Sequence, residues 1–149
     1  MQNQRKLNFK GALLDKNKLC NYLETLASDQ MVKETSKPNT YPIQELRENF
    51  NFITEVYRIL NQHVSLKINI HPAGEWLLDN YYIIEEKVKE IQKELSLARY
   101  RKLPGIASGY EEGFARIYVL ASVIVAYTDG KIEEESLKLF LTAYQNKKA

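Results

Sequence analysis

The chain has 149 residues, of which 44% are hydrophobic and 27% are charged, and its formal net charge is +2. This length suits a single domain with a real core, while a charge so close to neutrality excludes a field strong enough to recruit nucleic acid. Its only cysteine, Cys20, excludes an internal disulfide and fits a reducing compartment.

The chain opens with a polar stretch, residues 1–12, that we expect to be a flexible tail outside the folded part. Asp15 then fits the N-cap of a first helix, because its carboxylate is able to accept an otherwise unpaired amide. Helical spacing continues to about Lys33, through Leu19, Tyr22, Leu23, Leu26 and Ala27. Residues 34–42 contain Pro38 and Pro42 and are predicted to form a loop.

Two long amphipathic helices are predicted next, at about 43–66 and 72–97. Each has apolar residues at alternating spacings of four and three, which places one stripe toward a partner. These residues are Leu46, Phe50, Ile53, Tyr57, Leu60 and Val64 in one helix, and Leu77, Tyr81, Ile84, Val88, Ile91 and Leu95 in the other. Phe52, Val56 and Ile59 widen the first stripe and predict burial on more than one side. The pair is expected to be antiparallel neighbours in a bundle.

A loop rich in proline and glycine, residues 103–113, precedes a fourth helix at 114–128. That helix is apolar nearly all round, which predicts a central position. Its most apolar run, 117–127, has about half of the ~20 residues that span a bilayer, so no membrane insertion is expected. A fifth helix follows, with Glu133, Glu134 and Glu135 in its first turn. No stretch alternates for long enough to predict a strand, so we predict an all-α bundle of about five helices forming one domain, 1–149.

Glu75 and Asp79 are the residues that first suggest chemistry, since a spacing of four places both carboxylates on one helix face. Such a pair could act as acid and base or hold a cation, but no third ligand completes a metal pattern. The favoured interpretation is structural: the acids bond loop amides, tyrosine hydroxyls or an arginine such as Arg47 or Arg116. Glu75, Asp79, Asn80 and Arg116 therefore form a candidate structural polar cluster.

Trp76, the only tryptophan, is predicted to be a packing anchor, with contact to a sugar ring or a protein partner as the alternative. His63 and His71 lack ligands at metal-binding spacing, and residues 129–135 lack the alternating oxygens of a calcium loop. Cys20 has no neighbouring base that would activate its thiol. We predict no catalytic residue, no cofactor site and no metal site.

Residues 75–80, which we name the tryptophan block, belong to a series of short motifs along the chain. The others are residues 46–49, 57–58, 84–86, 91, 100–104, 116–118, 121, 126–129 and 140–145. In order and spacing these motifs resemble the N-terminal region of cyclic β-1,2-glucan synthases, and the resemblance covers roughly residues 13–146. Two residues depart from the family pattern: Ser96 stands in place of a usual proline after Leu95, and Ala115 in place of one before Arg116. Both positions are at loop or helix ends.

This resemblance implies a fragment of a much larger, multi-domain inner-membrane enzyme. In such proteins a glycosyltransferase builds the glucan from UDP-glucose, and a phosphorylase-like part acts on chain length. The chain itself would be a non-catalytic helical scaffold on the cytoplasmic side, with the remaining domains as partners. Two alternatives stay open: a free-standing interaction module, with possible self-association through an exposed apolar patch, and a weak β-glucan-binding domain using Trp76.

Overall fold

The structure is a computed structural model that describes residues 9, 11–33 and 36–147. Helices dominate the described residues, so the predicted all-α fold class is confirmed. The elements in chain order are α1 (Lys16–Asp29), β1 (Met31–Lys33), α2 (Tyr41–Ser65), α3 (Pro72–Glu94), α4 (Leu97–Tyr100), β2 (Gly105–Ser108), α5 (Arg116–Thr128) and α6 (Glu134–Gln145). The predicted tail at 1–12 falls mostly outside the described residues.

Two short strands were missed by the sequence prediction, and they explain why the first helix ends early. α1 stops at Asp29 instead of continuing to Lys33, because Gln30 takes an extended conformation and the next three residues pair with β2. The pairing is antiparallel, with Val32 opposite Ile106 and an irregularity next to Met31. Strands of three and four residues are too short to show an alternating pattern.

The third predicted helix also divides near its end. α3 stops at Glu94, because Leu95 leaves helical geometry with φ −113° and ψ 65°. Ser96 then starts the one-turn helix α4, where its Oγ accepts a hydrogen bond from the Arg99 amide. Ser96 is therefore the N-cap of α4.

The chain divides into two compact units, which we name the terminal unit (Met1–Asn39 with Arg101–Ala149) and the hairpin unit (Thr40–Tyr100). In the terminal unit α1 packs along α6, and α5 contacts α1. The buried side chains come from all three helices and from the β2 segment. They include Leu19, Leu23, Ala27, Ile106, Phe114, Val119, Val123, Ile124, Phe140 and Tyr144. The single domain predicted from the sequence stays a prediction.

α5 contributes one face to this core and leaves the other exposed. Val119, Val123 and Ile124 are buried, whereas Ile117 and Val125 are each 51% exposed. One side of α5 therefore lies in the core, as predicted for a central helix, and the other side does not. Asp129 and Gly130 end the helix as expected, both with positive φ.

In the hairpin unit α2 and α3 pack against each other as the predicted long antiparallel neighbours. Pro72 occupies the first turn of α3, where its missing amide costs nothing. The His71 ring completes that start, since its Nδ1 accepts a hydrogen bond from the Ala73 amide at 3.2 Å. The N-terminus of α3 thus fixes the position of the tryptophan block that follows.

Candidate interaction surface

Glu75 and Asp79 lie one turn apart on α3, and both line an open depression of about 510 Å³ at the connection from α2. Both residues are exposed. Within the described part of the chain neither carboxylate forms a hydrogen bond or an ion pair with another side chain or a loop amide. Both carboxylates are open to solvent, and the pair does not assemble the bonded cluster that we expected around it.

The two other members of the predicted polar cluster have local roles in separate units. Asn80 donates from Nδ2 to the carbonyl of Trp76, one turn earlier in α3, at 2.8 Å. Arg116 belongs to the terminal unit, where its Nε donates to the hydroxyl of Tyr144 at 2.9 Å and its guanidinium lies over that ring.

Tyr144 connects Arg116 to the end of α1. Its hydroxyl accepts from Arg116 and donates to Oε1 of Gln30, a side chain that is almost fully buried. Burial raises the pKa of the Tyr144 hydroxyl, and the nearby Arg116 guanidinium opposes part of that rise. No local sequence pattern predicts this three-residue network, because Gln30 and Tyr144 are 114 positions apart.

The interface between α2 and α3 is marked by stacked aromatic rings. Tyr81 stacks on Tyr57 with ring centroids 3.9 Å apart, and on Phe50 at 6.3 Å. Its hydroxyl lies 2.9 Å from Thr54 Oγ1. Near the connection, a Cβ built on Gly74 would lie 3.0 Å from a Leu60 methyl, so glycine lets the helices approach. These contacts define the side that each helix turns toward the other.

A second apolar stripe on α2 does not lie at this interface. Phe52, Ile59 and Leu66 recur every seven residues, with Val56 and His63 between them. Phe52 is 71% exposed and Leu66 70% exposed. The prediction that Phe52 and Ile59 bury a further side of this helix is therefore wrong for the described chain, because nothing in it covers them.

α3 carries a matching pair of apolar residues, Trp76 and Ile83, which are also seven residues apart, and Ile91 lies at the edge between this pair and the predicted contact stripe. The Trp76 side chain is 61% exposed, and both isoleucines are also exposed. Trp76 is thus a surface residue, and it does not anchor a core within the described residues. A tryptophan this exposed is uncommon, since large aromatic side chains contribute most when they are buried.

Helical geometry places the two stripes on one face of the hairpin. Measured from the half-buried contact residues Ile53 on α2 and Ile84 on α3, each stripe lies roughly a third of a turn around its helix, with the same sense of rotation. In antiparallel helices, equal rotation brings both stripes to the same face. We name this set of residues the apolar face: Phe52, Ile59, Leu66, Trp76, Ile83 and Ile91. The other side of α2 is polar, with Thr54, Arg58, Asn61 and Ser65 around a shallow depression.

The terminal unit has its own apolar depression, an open groove of about 650 Å³. The groove is mainly apolar and is lined by Leu103, Pro104, Arg116, Ile117, Leu120, Leu141, Tyr144 and Gln145. Together with exposed Val125 on α5, it leaves a substantial hydrophobic surface uncovered in this unit.

Other kinds of site find little support in the described residues. Across 9, 11–33 and 36–147, no three His, Cys, Asp or Glu side chains come together as a metal site. Within the same ranges, every helix is too short or too polar to cross a membrane. Burial raises the pKa of the Cys20 thiol, which disfavours the reactive thiolate.

Comparison with known proteins gives one informative match. The chain is 35% identical over 100 residues to the cyclic beta-(1,2)-glucan synthase NdvB of Rhizobium meliloti (strain 1021). The match covers 66% of this chain but spans only 4% of that synthase. The chain matches no protein-family model, and no solved structure matches it. The match confirms a relationship between this chain and one region of the synthase.

Proposed function

We propose, from the relationship of this chain to a region of a cyclic β-(1,2)-glucan synthase, that it is a non-catalytic helical scaffold segment of a glucan synthase-like protein. Other domains of that protein would make glucan from UDP-glucose, and this segment would pack against them on the cytoplasmic side of the membrane. The observation that carries the proposal is the match itself, which covers most of this chain and a small part of the synthase.

The surface chemistry of the chain supports a packing role over a catalytic one. Its acidic pair, Glu75 and Asp79, is exposed and lies in a wide, open depression. Catalytic groups are instead usually held in enclosed clefts from which water is largely excluded. Apolar side chains, by contrast, are exposed on both units, as expected of a segment that packs against other domains.

A turnover assay on the purified chain tests the catalytic part of this proposal. We expect the chain to release no UDP from UDP-glucose and to leave β-1,2-glucan uncleaved. Turnover that is lost in Glu75→Gln or Asp79→Asn, and retained in the exposed control Glu134→Gln, would overturn the proposal.

The scaffold role itself is tested in a longer protein that contains this segment. Ile117→Asp with Val125→Asp places charge on the exposed side of α5, so the isolated chain should keep its helical circular dichroism. Glucan output of the longer protein should fall, whereas the exposed control Lys131→Asp should leave it unchanged. Equal output from both variants would contradict packing through this surface.

The exposure of Trp76 favours a second candidate function, direct contact with β-1,2-glucan. Sugar rings stack on exposed aromatic rings, and this indole is accessible. Calorimetric titration with β-1,2-glucan oligomers should then release heat in the native chain and none in Trp76→Ala. A flat trace at millimolar oligomer eliminates this candidate.

A further inference from the structure

We propose that two copies of this chain associate through the apolar face of the hairpin unit and form a four-helix bundle. The occupant of the face is thus a second hairpin with the same residues. This inference stands apart from the proposed function, because self-association is measurable whatever the larger protein does.

The architecture of the hairpin unit favours this occupant. A helix that is apolar on two sides needs a partner on each, and one antiparallel neighbour supplies only one of them. α2 and α3 have 25 and 23 residues, so both are about 35–37 Å long. Two hairpins of matched length, each with one apolar face, are the components of a four-helix bundle. A two-fold axis lets the same face serve on both copies.

The exposed area agrees with the size of a dimer interface. The six side chains of the apolar face together expose on the order of 600 Å², against roughly 800 Å² per partner in a standard interface. Val56, His63 and Asn80 lie between them and are half-buried. The exposed surface of these three residues adds to the total, so the area of the apolar face approaches the roughly 800 Å² per partner of a standard interface.

The charges around the face favour a protein over an anionic lipid surface. Exposed glutamates flank it along both helices, namely Glu48, Glu86 and Glu94. Helices that lie on membranes have lysine and arginine at such positions. The two basic residues nearest the face are each paired at 2.6 Å, Lys87 to Glu90 and Arg58 to Glu55, so these pairs add little net charge of either sign.

Sedimentation velocity of the full chain from micromolar to millimolar concentration tests the proposal. We expect the mass to rise from that of one copy to that of two. Trp76→Glu should weaken the dimer by roughly tenfold or more, as at a central interface residue. The matched control is Tyr82→Glu. Tyr82 is equally exposed at 65%, but it lies about 120° around α3 from Trp76, off the apolar face.

Trp76 also allows a measurement without any substitution, because it is the only tryptophan. Its emission should shift to shorter wavelength, and its quenching by acrylamide should fall, as the chain concentration rises. A monomer at millimolar concentration would overturn the proposal, as would equal weakening by Trp76→Glu and Tyr82→Glu. Protection of Trp76 by β-1,2-glucan in a monomeric chain would likewise assign the face to a sugar.

Discussion

The rings of Tyr57 and Tyr81 stack across the α2–α3 interface with centroids 3.9 Å apart and planes inclined by 13°. The Tyr81 hydroxyl also lies within hydrogen-bond distance of Thr54 Oγ1, at 2.9 Å. Tyr81 therefore joins α3 to α2 both through ring stacking and through a hydrogen bond. Few side chains of α2 and α3 are fully buried, so we expect this contact to contribute measurably to the stability of the hairpin unit.

Substitution of Tyr81 should separate these two contributions. Tyr81→Phe removes the hydrogen bond and should lower the free energy of unfolding by about 0.5–1.5 kcal/mol. Tyr81→Ala also removes the stacked ring and should lower it by roughly 2–4 kcal/mol. Urea denaturation followed by circular dichroism measures both, with the exposed Tyr82→Phe as a control that should change little. Equal effects of the two Tyr81 variants would contradict a role for stacking.

The helices were predictable from the sequence because their signals are local. The 3.6-residue periodicity, the N-cap at Asp15 and the proline at the start of α3 each act within one or two turns. The strands were not predictable, because a pairing such as Val32 with Ile106 depends on a contact between residues that lie about half of the chain apart. Tertiary contacts of this kind override local helix propensity at the end of α1.

The candidate site was predicted less well, and burial is the reason. Periodicity predicts that Phe52, Ile59 and Trp76 share faces of their helices, but it does not tell whether anything covers those faces. We predict burial for all three residues, whereas the structure shows all three exposed. α2 has one apolar stripe that contacts α3 and a second stripe of seven-residue spacing. A second stripe of this kind indicates an interaction surface.

Because Asp15 caps α1, the free energy of unfolding should depend on pH in the acidic range. The Lys18 amide donates to the Asp15 carboxylate at 2.9 Å, and this bond holds the pKa of that carboxyl below its ordinary value of 3.8. A pKa lowered by folding contributes stability that is present above 3.8 and is lost as the pH falls through the folded value. Asp15→Asn keeps a capping oxygen without the titration. The native chain should therefore be the more stable of the two at pH 7, and this difference should shrink by pH 3.

Two glycines should respond differently to the same substitution. A Cβ on Gly105 would lie 2.6 Å from the carbonyl oxygen of Ser36, so Gly105→Asn should destabilise the chain by about 1–3 kcal/mol. Gly130 has φ +68° and open space around it, and asparagine tolerates that conformation. Gly130→Asn should therefore be nearly neutral. Thermal unfolding of both variants decides the matter, and an equal loss would mean that backbone crowding at β2 is unimportant.

Tyr144→Phe should destabilise the terminal unit, because it removes a hydroxyl that forms hydrogen bonds with two residues and belongs to a buried side chain. Gln30 Oε1 loses the donor and Arg116 Nε the acceptor that Tyr144 supplies, and loss of these two hydrogen bonds should lower the free energy of unfolding by roughly 1–3 kcal/mol. The exposed control Tyr110→Phe should change little. An effect of Tyr144→Phe no larger than that of the control would show that water replaces the hydroxyl.

The same variant should change the response to alkali. Burial raises the pKa of Tyr144 above its ordinary value of 10.0, although Arg116 opposes the rise. A pKa raised by folding contributes stability that is complete below the unfolded value and is lost as the pH rises through the folded value. The stability difference between the native chain and Tyr144→Phe should therefore be constant from pH 7 to 9 and shrink above pH 10. A difference that grows with pH would place the pKa of Tyr144 below its ordinary value, with Arg116 outweighing burial.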